Sequence, residues 1–188
     1  MTTRAMLASV LLLLVVGVGA LGIAISRHGF SAREKPTWVE EFFARHARRI
    51  ATPSGARDVK NPYPLTPGRL ASARAHWVDH CATCHALDGG GNTAFGKNMY
   101  PPAPDLRDNT TQSLSDGELF YIISNGVRFT GMPAWGGEHT PEETWELVSF
   151  IRRLPALTPE ELKELEEMMK AGSTGGHSDA PGAAPHAH

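Results

Sequence analysis

The sequence predicts an all-α domain with long loops, preceded by a single N-terminal transmembrane helix. Three observations carry this. Residues 7–25, LASVLLLLVVGVGALGIAI, hold no charged side chain. Further on, Thr or Ser is followed three residues later by Glu at Thr37–Glu40, Ser115–Glu118, Thr140–Glu143 and Thr158–Glu161, the pattern that opens a helix. No segment sustains the alternation of apolar and polar residues that a half-buried strand needs.

The 188 residues suit one domain with appendages. We divide them into an anchor at 1–26, a linker at 27–65 with a short amphipathic helix, a folded domain at 66–170 and a disordered tail at 171–188. A net charge of −2, from 18 Lys and Arg against 20 Asp and Glu, excludes a globally basic nucleic-acid binder. Two cysteines exclude a disulfide-dense scaffold. The charge is unevenly placed: eight basic and four acidic residues in 27–65 give +4, whereas nine and fifteen in 66–170 give −6.

As a helix, residues 7–25 extend about 28 Å, close to the ~30 Å hydrocarbon core of a bilayer. A cleaved secretion signal is the rival reading, with Val18-Gly19-Ala20 as the cut. The apolar run continues past Ala20 without a break, which favours a retained anchor. Arg4 precedes the span, and Arg27, Arg33 and Lys35 come after it. The positive-inside tendency alone leaves the body in the cytoplasm; the chemistry of the body argues for the other side.

In the linker, the helix from Trp38 carries Val39, Phe42, Phe43 and Ile50 at helical spacing, flanked by Arg45, Arg48 and Arg49. Two readings compete for it, a helix lying on the membrane surface and a helix packed on the domain. Residues 51–65, with Pro53, Gly55, Pro62 and Pro64, read as an extended linker. The first domain helix begins at Thr66-Pro67 and runs into Cys81, with Leu70, Ala73 and Trp77 on one face. Residues 86–114 read as ordered loop. A helix opening at Ser115 ends at Asn125-Gly126, one from Thr140 buries Leu147, Val148, Ile151 and Leu154, and one from Thr158 extends to about Lys170. The tail lacks large apolar residues, and its His177, His186 and His188 read as solvated rather than as a loose metal site.

Cys81-Ala82-Thr83-Cys84-His85 carries the chemistry. C-x-x-C-H is the attachment signature of c-type haem. At a helix end, two cysteines three apart project to one side, where they reach the two vinyl groups of one porphyrin, and the adjacent His presents its imidazole to the iron. A zinc site drawing on His76 and His80 is disfavoured, because four ligands within nine residues of one helix end do not easily surround a tetrahedral metal. A thioredoxin-like redox pair lacks its βαβ context. The sixth position of the iron calls for another donor. Met132, in Thr130-Gly131-Met132-Pro133-Ala134-Trp135, lies forty-seven residues after His85 in a tight turn that pushes a thioether inward. Met99 and His139 are its rivals.

The helix leading into C-x-x-C-H, the loop Pro101-Pro102-Ala103-Pro104-Asp105-Leu106, the GMPAW segment and the helix at 141–154 resemble a class I c-type cytochrome, in particular its monohaem, membrane-anchored bacterial members. The resemblance covers roughly residues 66–154. It implies one covalent haem c on Cys81 and Cys84, His85 as proximal and Met132 as distal iron ligand, and first and last helices crossing beside the haem through Trp77 and Val148 or Ile151. It implies that the carbonyl of Pro101 or Pro102 accepts from His85 Nδ1–H. The helix after Pro155 is a departure whose role the resemblance does not supply.

With both axial positions filled, iron has no place for substrate, so no catalytic residue is expected and the expected activity is outer-sphere electron transfer. The resemblance implies thioether attachment outside the cytoplasm, hence a single-pass protein of the bacterial inner membrane with its haem domain in the periplasm. Its expected partners are an upstream reductase or dehydrogenase and a downstream oxidase, as a tethered respiratory carrier or as a fixed haem subunit of a dehydrogenase or oxidase complex. A peroxidase or gas sensor requires Met132 to be off the iron.

Overall fold

The protein is described by a computed structural model covering residues 3–29 and 31–175. It divides into two compact units, one ending at Glu34 and the other beginning at Lys35. The His-containing tail beyond Gly175, with His177, His186 and His188, lies outside the described residues.

The first unit is α1, Thr3–His28. Its mean hydropathy reaches 2.7 and none of that stretch is buried, so apolar side chains face outward all round. Its hydroxyls bond within the helix: Ser9 Oγ donates to the Ala5 carbonyl at 3.0 Å and Ser26 Oγ to that of Ile23 at 2.9 Å. A helix crossing lipid needs this internal satisfaction.

Among its described residues the second unit holds helices joined by loops, with no strand. α2 (Trp38–Ala51) opens on the Thr37–Glu40 capping box. α3 (Pro67–His76) opens on Thr66, whose hydroxyl accepts from Arg69 N–H, with Pro67 in the first turn. It runs through a π-helical segment, Trp77–Cys81, into the short α4 (Ala82–His85). After a long loop come α5 (Asn109–Gln112), α6 (Asp116–Asn125), α7 (Pro141–Arg153) and α8 (Pro159–Gly175). Gly126 terminates α6 at φ +65°, a conformation that glycine adopts at little cost. α8 continues to Gly175, past the end expected near Lys170.

α3 packs on α7 and α6 on α7. Trp77, Val148, Phe150 and Leu147 are fully enclosed there, with Trp77 and Phe150 ring centres 5.5 Å apart. Phe120 stacks on Trp145 at 4.4 Å. α8, the helix without a role at the sequence level, packs on the π-helical segment and buries Leu165 completely. Arg74 of α3 bridges to Glu161 at 2.6 Å and Glu164 at 3.0 Å, and Arg153 meets the same Glu161 at 2.6 Å. α8 therefore braces the helix that leads into the cysteines.

Part of the stretch expected as extended linker is seated on the domain. Residues Ser54–Asp58 form a 3₁₀ turn against α6, where Arg57 Nε lies 3.1 Å from Glu118 Oε1. Gly117 is needed at this contact, since a Cβ there would overlap the Ala56 carbonyl oxygen. Asn61 Nδ2 donates to Ser149 Oγ at 3.0 Å, and Tyr63 packs against the core.

Candidate haem site

The site grows from the end of α3. At Trp77–Cys81 the ladder widens, and the Ala82 N–H donates to the Trp77 carbonyl five residues back. Such π-bulges add one residue to a turn and re-aim the chain beyond it, here Cys81 to His85. Nothing in the apolar periodicity of residues 66–85 signals this bulge. α4 stops at His85 because Ala86 takes φ +63°.

The chain then folds back over the motif. Gly91 N–H donates to the His85 carbonyl at 2.9 Å and Thr93 Oγ1 to the Cys84 carbonyl at 3.3 Å. A Cβ on Gly96 would overlap the Cys84 carbonyl oxygen, so only glycine permits this approach. Backbone bonds from Ala103 to Gly96 (2.9 Å) and from Leu106 to Gly89 (2.8 Å) close the loop.

Those two bonds bring the second half of the loop to the imidazole further along the chain than expected. The proline carbonyl that acts on His85 is that of Pro104, not of Pro101 or Pro102. It favours the protonated ring electrostatically but stands outside hydrogen-bonding geometry, for His85 Nδ1 is shut off from solvent with no partner. Burial outweighs it and pushes the His85 pKa below the ordinary value. The ring is thus held neutral, the form that donates a lone pair to a metal. Trp77 flanks it at 6.2 Å and donates from Nε1 to the Leu87 carbonyl at 3.2 Å.

Cys81 and Cys84 are both half-buried free thiols. Burial, helped by the nearby Cys84, pushes the Cys81 thiol up to about 12. A reactive redox cysteine has the opposite shift.

Met132 is half-buried in a turn cross-braced by Val127 N–H to its carbonyl (3.1 Å) and by its own N–H to Thr130 Oγ1 (3.1 Å). Trp135 and Gly136 pin the turn to the end of α6 through the carbonyls of Ile123 and Ser124. Met99 is not remote from it: a Cβ on Gly131 would overlap the Met99 sulfur. The structure thus brings two of the three rival donors to one turn.

His139 joins a different group. Its ring is stacked on Trp135 at 5.1 Å and lies 5.2 Å from the rings of both His76 and His80. It is buried with neither nitrogen partnered, while His76 Nε2 lies 3.4 Å from Glu143 Oε1. His80 is exposed and His76 half-buried. Among the described residues no three His, Cys, Asp or Glu side chains are arranged to hold a metal ion. The grouping joins residues some sixty positions apart, which no local motif signals.

These residues fit a haem. A neutral imidazole with a sheltered Nδ1 stands beside two uncrosslinked thiols, under a loop whose glycine lets backbone close over the motif, and the same domain offers a thioether in a fixed turn. Fold and site have the form of a c-type cytochrome domain, in a chain whose α1 is long and apolar enough to cross a membrane. More specifically, residues 68–151 match the family model of the cbb3-type cytochrome c oxidase subunit III. The chain is also similar to the cbb3-type cytochrome c oxidase subunit FixPc of Rhizobium leguminosarum bv. viciae, 29% identical over 91 residues. That match takes in 48% of this chain and 30% of the relative, so the chain spans about a third of the relative's length. Among solved structures, a chain of the Kuenenia stuttgartiensis reducing HAO-like protein complex Kustc0457/Kustc0458 superposes with a TM-score of 0.43 at 19% identity, over 51% of this chain and 49% of that one. That likeness is too low to bear on fold or function.

Proposed function

We propose that the chain carries electrons through one haem c held covalently by Cys81 and Cys84, with His85 and Met132 on the iron, as a membrane-tethered periplasmic carrier in a bacterial respiratory chain. The observation that carries this reading is the C-x-x-C-H helix end, where two half-buried cysteines precede an imidazole kept neutral by burial. Bound haem supplies a reversible one-electron couple. Cys81 and Cys84 fix its position, so that transfer distance is set by the fold. His85 donates its lone pair without first losing a proton. The thioether of Met132 is softer than a second imidazole and favours ferrous iron, which raises the potential toward that of an oxidase donor. With His85 and Met132 both given to the iron, no position would remain on it for a substrate. Attachment through thioethers, which the resemblance places outside the cytoplasm, supports a periplasmic domain against the Lys and Arg count.

A fixed subunit of a terminal oxidase is the second reading, favoured by the match of residues 68–151 to an oxidase subunit family. Both readings share the ligation and differ in residence. A reduced-minus-oxidised spectrum with a redox titration tests the ligation, and a colourless protein with two titratable thiols and no iron defeats it. Extraction in mild detergent then separates the roles: obligatory co-purification with an oxidase makes the chain a subunit, and a free haem protein makes it a carrier. Protease protection in spheroplasts tests the side, since a shielded body contradicts the periplasmic placement.

A further inference from the structure

We propose that α2 lies flat on the surface of the bilayer that α1 crosses, its aromatic face in the headgroup boundary and its arginines against anionic phospholipid headgroups. None of its residues is buried, although Trp38, Phe42, Phe43 and Ile50 are all large and apolar. Trp38 is 80% exposed, Phe43 65% and Ile50 85%, so the domain does not cover this face. At 100° per residue, Trp38, Val39, Phe42, Phe43 and Ile50 occupy one half of the helix circumference, and Glu40 lies on the other. The domain meets that other half at Glu40, whose Oε1 accepts from Tyr100 Oη at 2.7 Å, and at half-buried Arg48, which lies near the Glu118 carboxylate. Arg57 reaches the helix only through backbone, donating to the Arg49 carbonyl at 3.3 Å. The large aromatic side chains are left exposed outside these contacts.

The lipid surface is the occupant that the chain itself brings within reach. Only residues 29–37 separate the end of α1 from the start of α2. Nine extended residues span at most about 31 Å. Residues 27–51 carry Arg27, Arg33, Lys35, Arg45, Arg48 and Arg49 against Glu34, Glu40 and Glu41, a surplus of three positive charges suited to anionic headgroups. Trp and Phe on one side with Arg beside them is the composition of a helix lying in the interface plane. The proposal rests on α1 crossing the membrane and not on the haem ligation. It implies that the domain is held at a set height by Tyr100 and Arg57 rather than swinging freely on residues 27–65.

The test uses the full-length holoprotein in vesicles of phosphatidylcholine and phosphatidylglycerol, with bromine on the acyl chains or without. α1 contains no tryptophan, so the emission difference between wild type and Trp38→Phe isolates Trp38. The expected result is a fall of about twofold or more in the Trp38 contribution on bromination. The double variant Phe42→Glu/Phe43→Glu keeps the Thr37–Glu40 cap, so helix and fold persist, and it should lose this quenching. Trp38 emission indifferent to bromine overturns the proposal and leaves the face to a protein partner or a second copy. Quenching equally strong in pure phosphatidylcholine overturns its headgroup part.

Discussion

The Met99 sulfur packs on Gly131, one residue before Met132, so which thioether serves the iron is a question that single substitutions answer. Met132→Leu should open the sixth position. Carbon monoxide then binds the ferrous protein, and the potential falls by on the order of 0.1 V within the ~0.8 V range that axial ligands span. Met99→Leu should change neither; the reverse outcome transfers the role to Met99. His139 gives a second prediction at this scale. Burial, and then the neighbouring His76 and His80, lower its pKa from the ordinary 6.5, against the opposing pull of Glu143 and Glu138. The unfolded chain therefore binds a proton at this position at a higher pH than the folded one. The contribution is absent above about pH 6.5 and destabilises as pH falls through that value toward the lowered folded pKa. Glu143, whose carboxyl lies below the usual 4.5, loses its stabilisation only in more acid solution. Thermal melts between about pH 7 and pH 5 should thus show a loss of stability that His139→Leu reduces, and equal slopes in the two proteins would contradict it. Of these residues, Cys81, Cys84, His85 and Met132 are proposed from sequence because the chemistry they suggest is written in short local motifs. The His139 group was not, because it forms only when α3 meets the segment after Trp135.

At the scale of elements, the same distinction separates what sequence shows from what packing decides. The helix starts at Thr37, Ser115, Thr140 and Thr158, and the stop at Gly126, depend on bonds between residues three or four apart, and they stand where the letters place them. The π-bulge at Trp77–Cys81 carries no distinct letters, since the residues that form it would serve an α-helix equally well. The seat of residues 54–63 depends on bonds spanning 61 residues, as from Arg57 to Glu118, and 88 residues, as from Asn61 to Ser149. Gly117 tests that seat. In a free α6, Gly117→Ala would gain about 1 kcal/mol of helix propensity. Here the added methyl meets the Ala56 backbone oxygen, which no rotamer change relieves. Overpacking of this kind costs about 1–3 kcal/mol, so the clash outweighs the propensity gain. Gly117→Ala should lower the denaturation midpoint and expose Ser54–Asp58 to protease; a raised midpoint would show that the turn is not seated on α6.

For the whole molecule, charge sorts along the chain in a way that suits both ends of its task. The +4 of residues 27–65 follows the apolar span in sequence, and the −6 of residues 66–170 belongs to the domain proposed to meet redox partners. Part of that acidity is internally compensated: Glu161 serves Arg74 and Arg153, and Arg107 takes Asp88 and Asp105. Compensated pairs project little field. Exposed Glu138, six residues from Met132 on the segment leading into α7, is among the acidic groups closest in sequence to the candidate distal ligand. If Met132 serves the iron, Glu138 would steer a basic partner surface toward the haem, and steering among exposed charges is screened once the Debye length drops from about 30 Å at 0.01 M salt to a few ångströms near 1 M. Second-order electron transfer to a basic partner should therefore slow by about tenfold across that range. Glu138→Lys should lower the low-salt rate and flatten the salt dependence while leaving the midpoint potential unchanged, which separates a docking effect from one on the iron. If the rate is the same at both salt concentrations, and Glu138→Lys is silent, docking runs through apolar contact rather than charge.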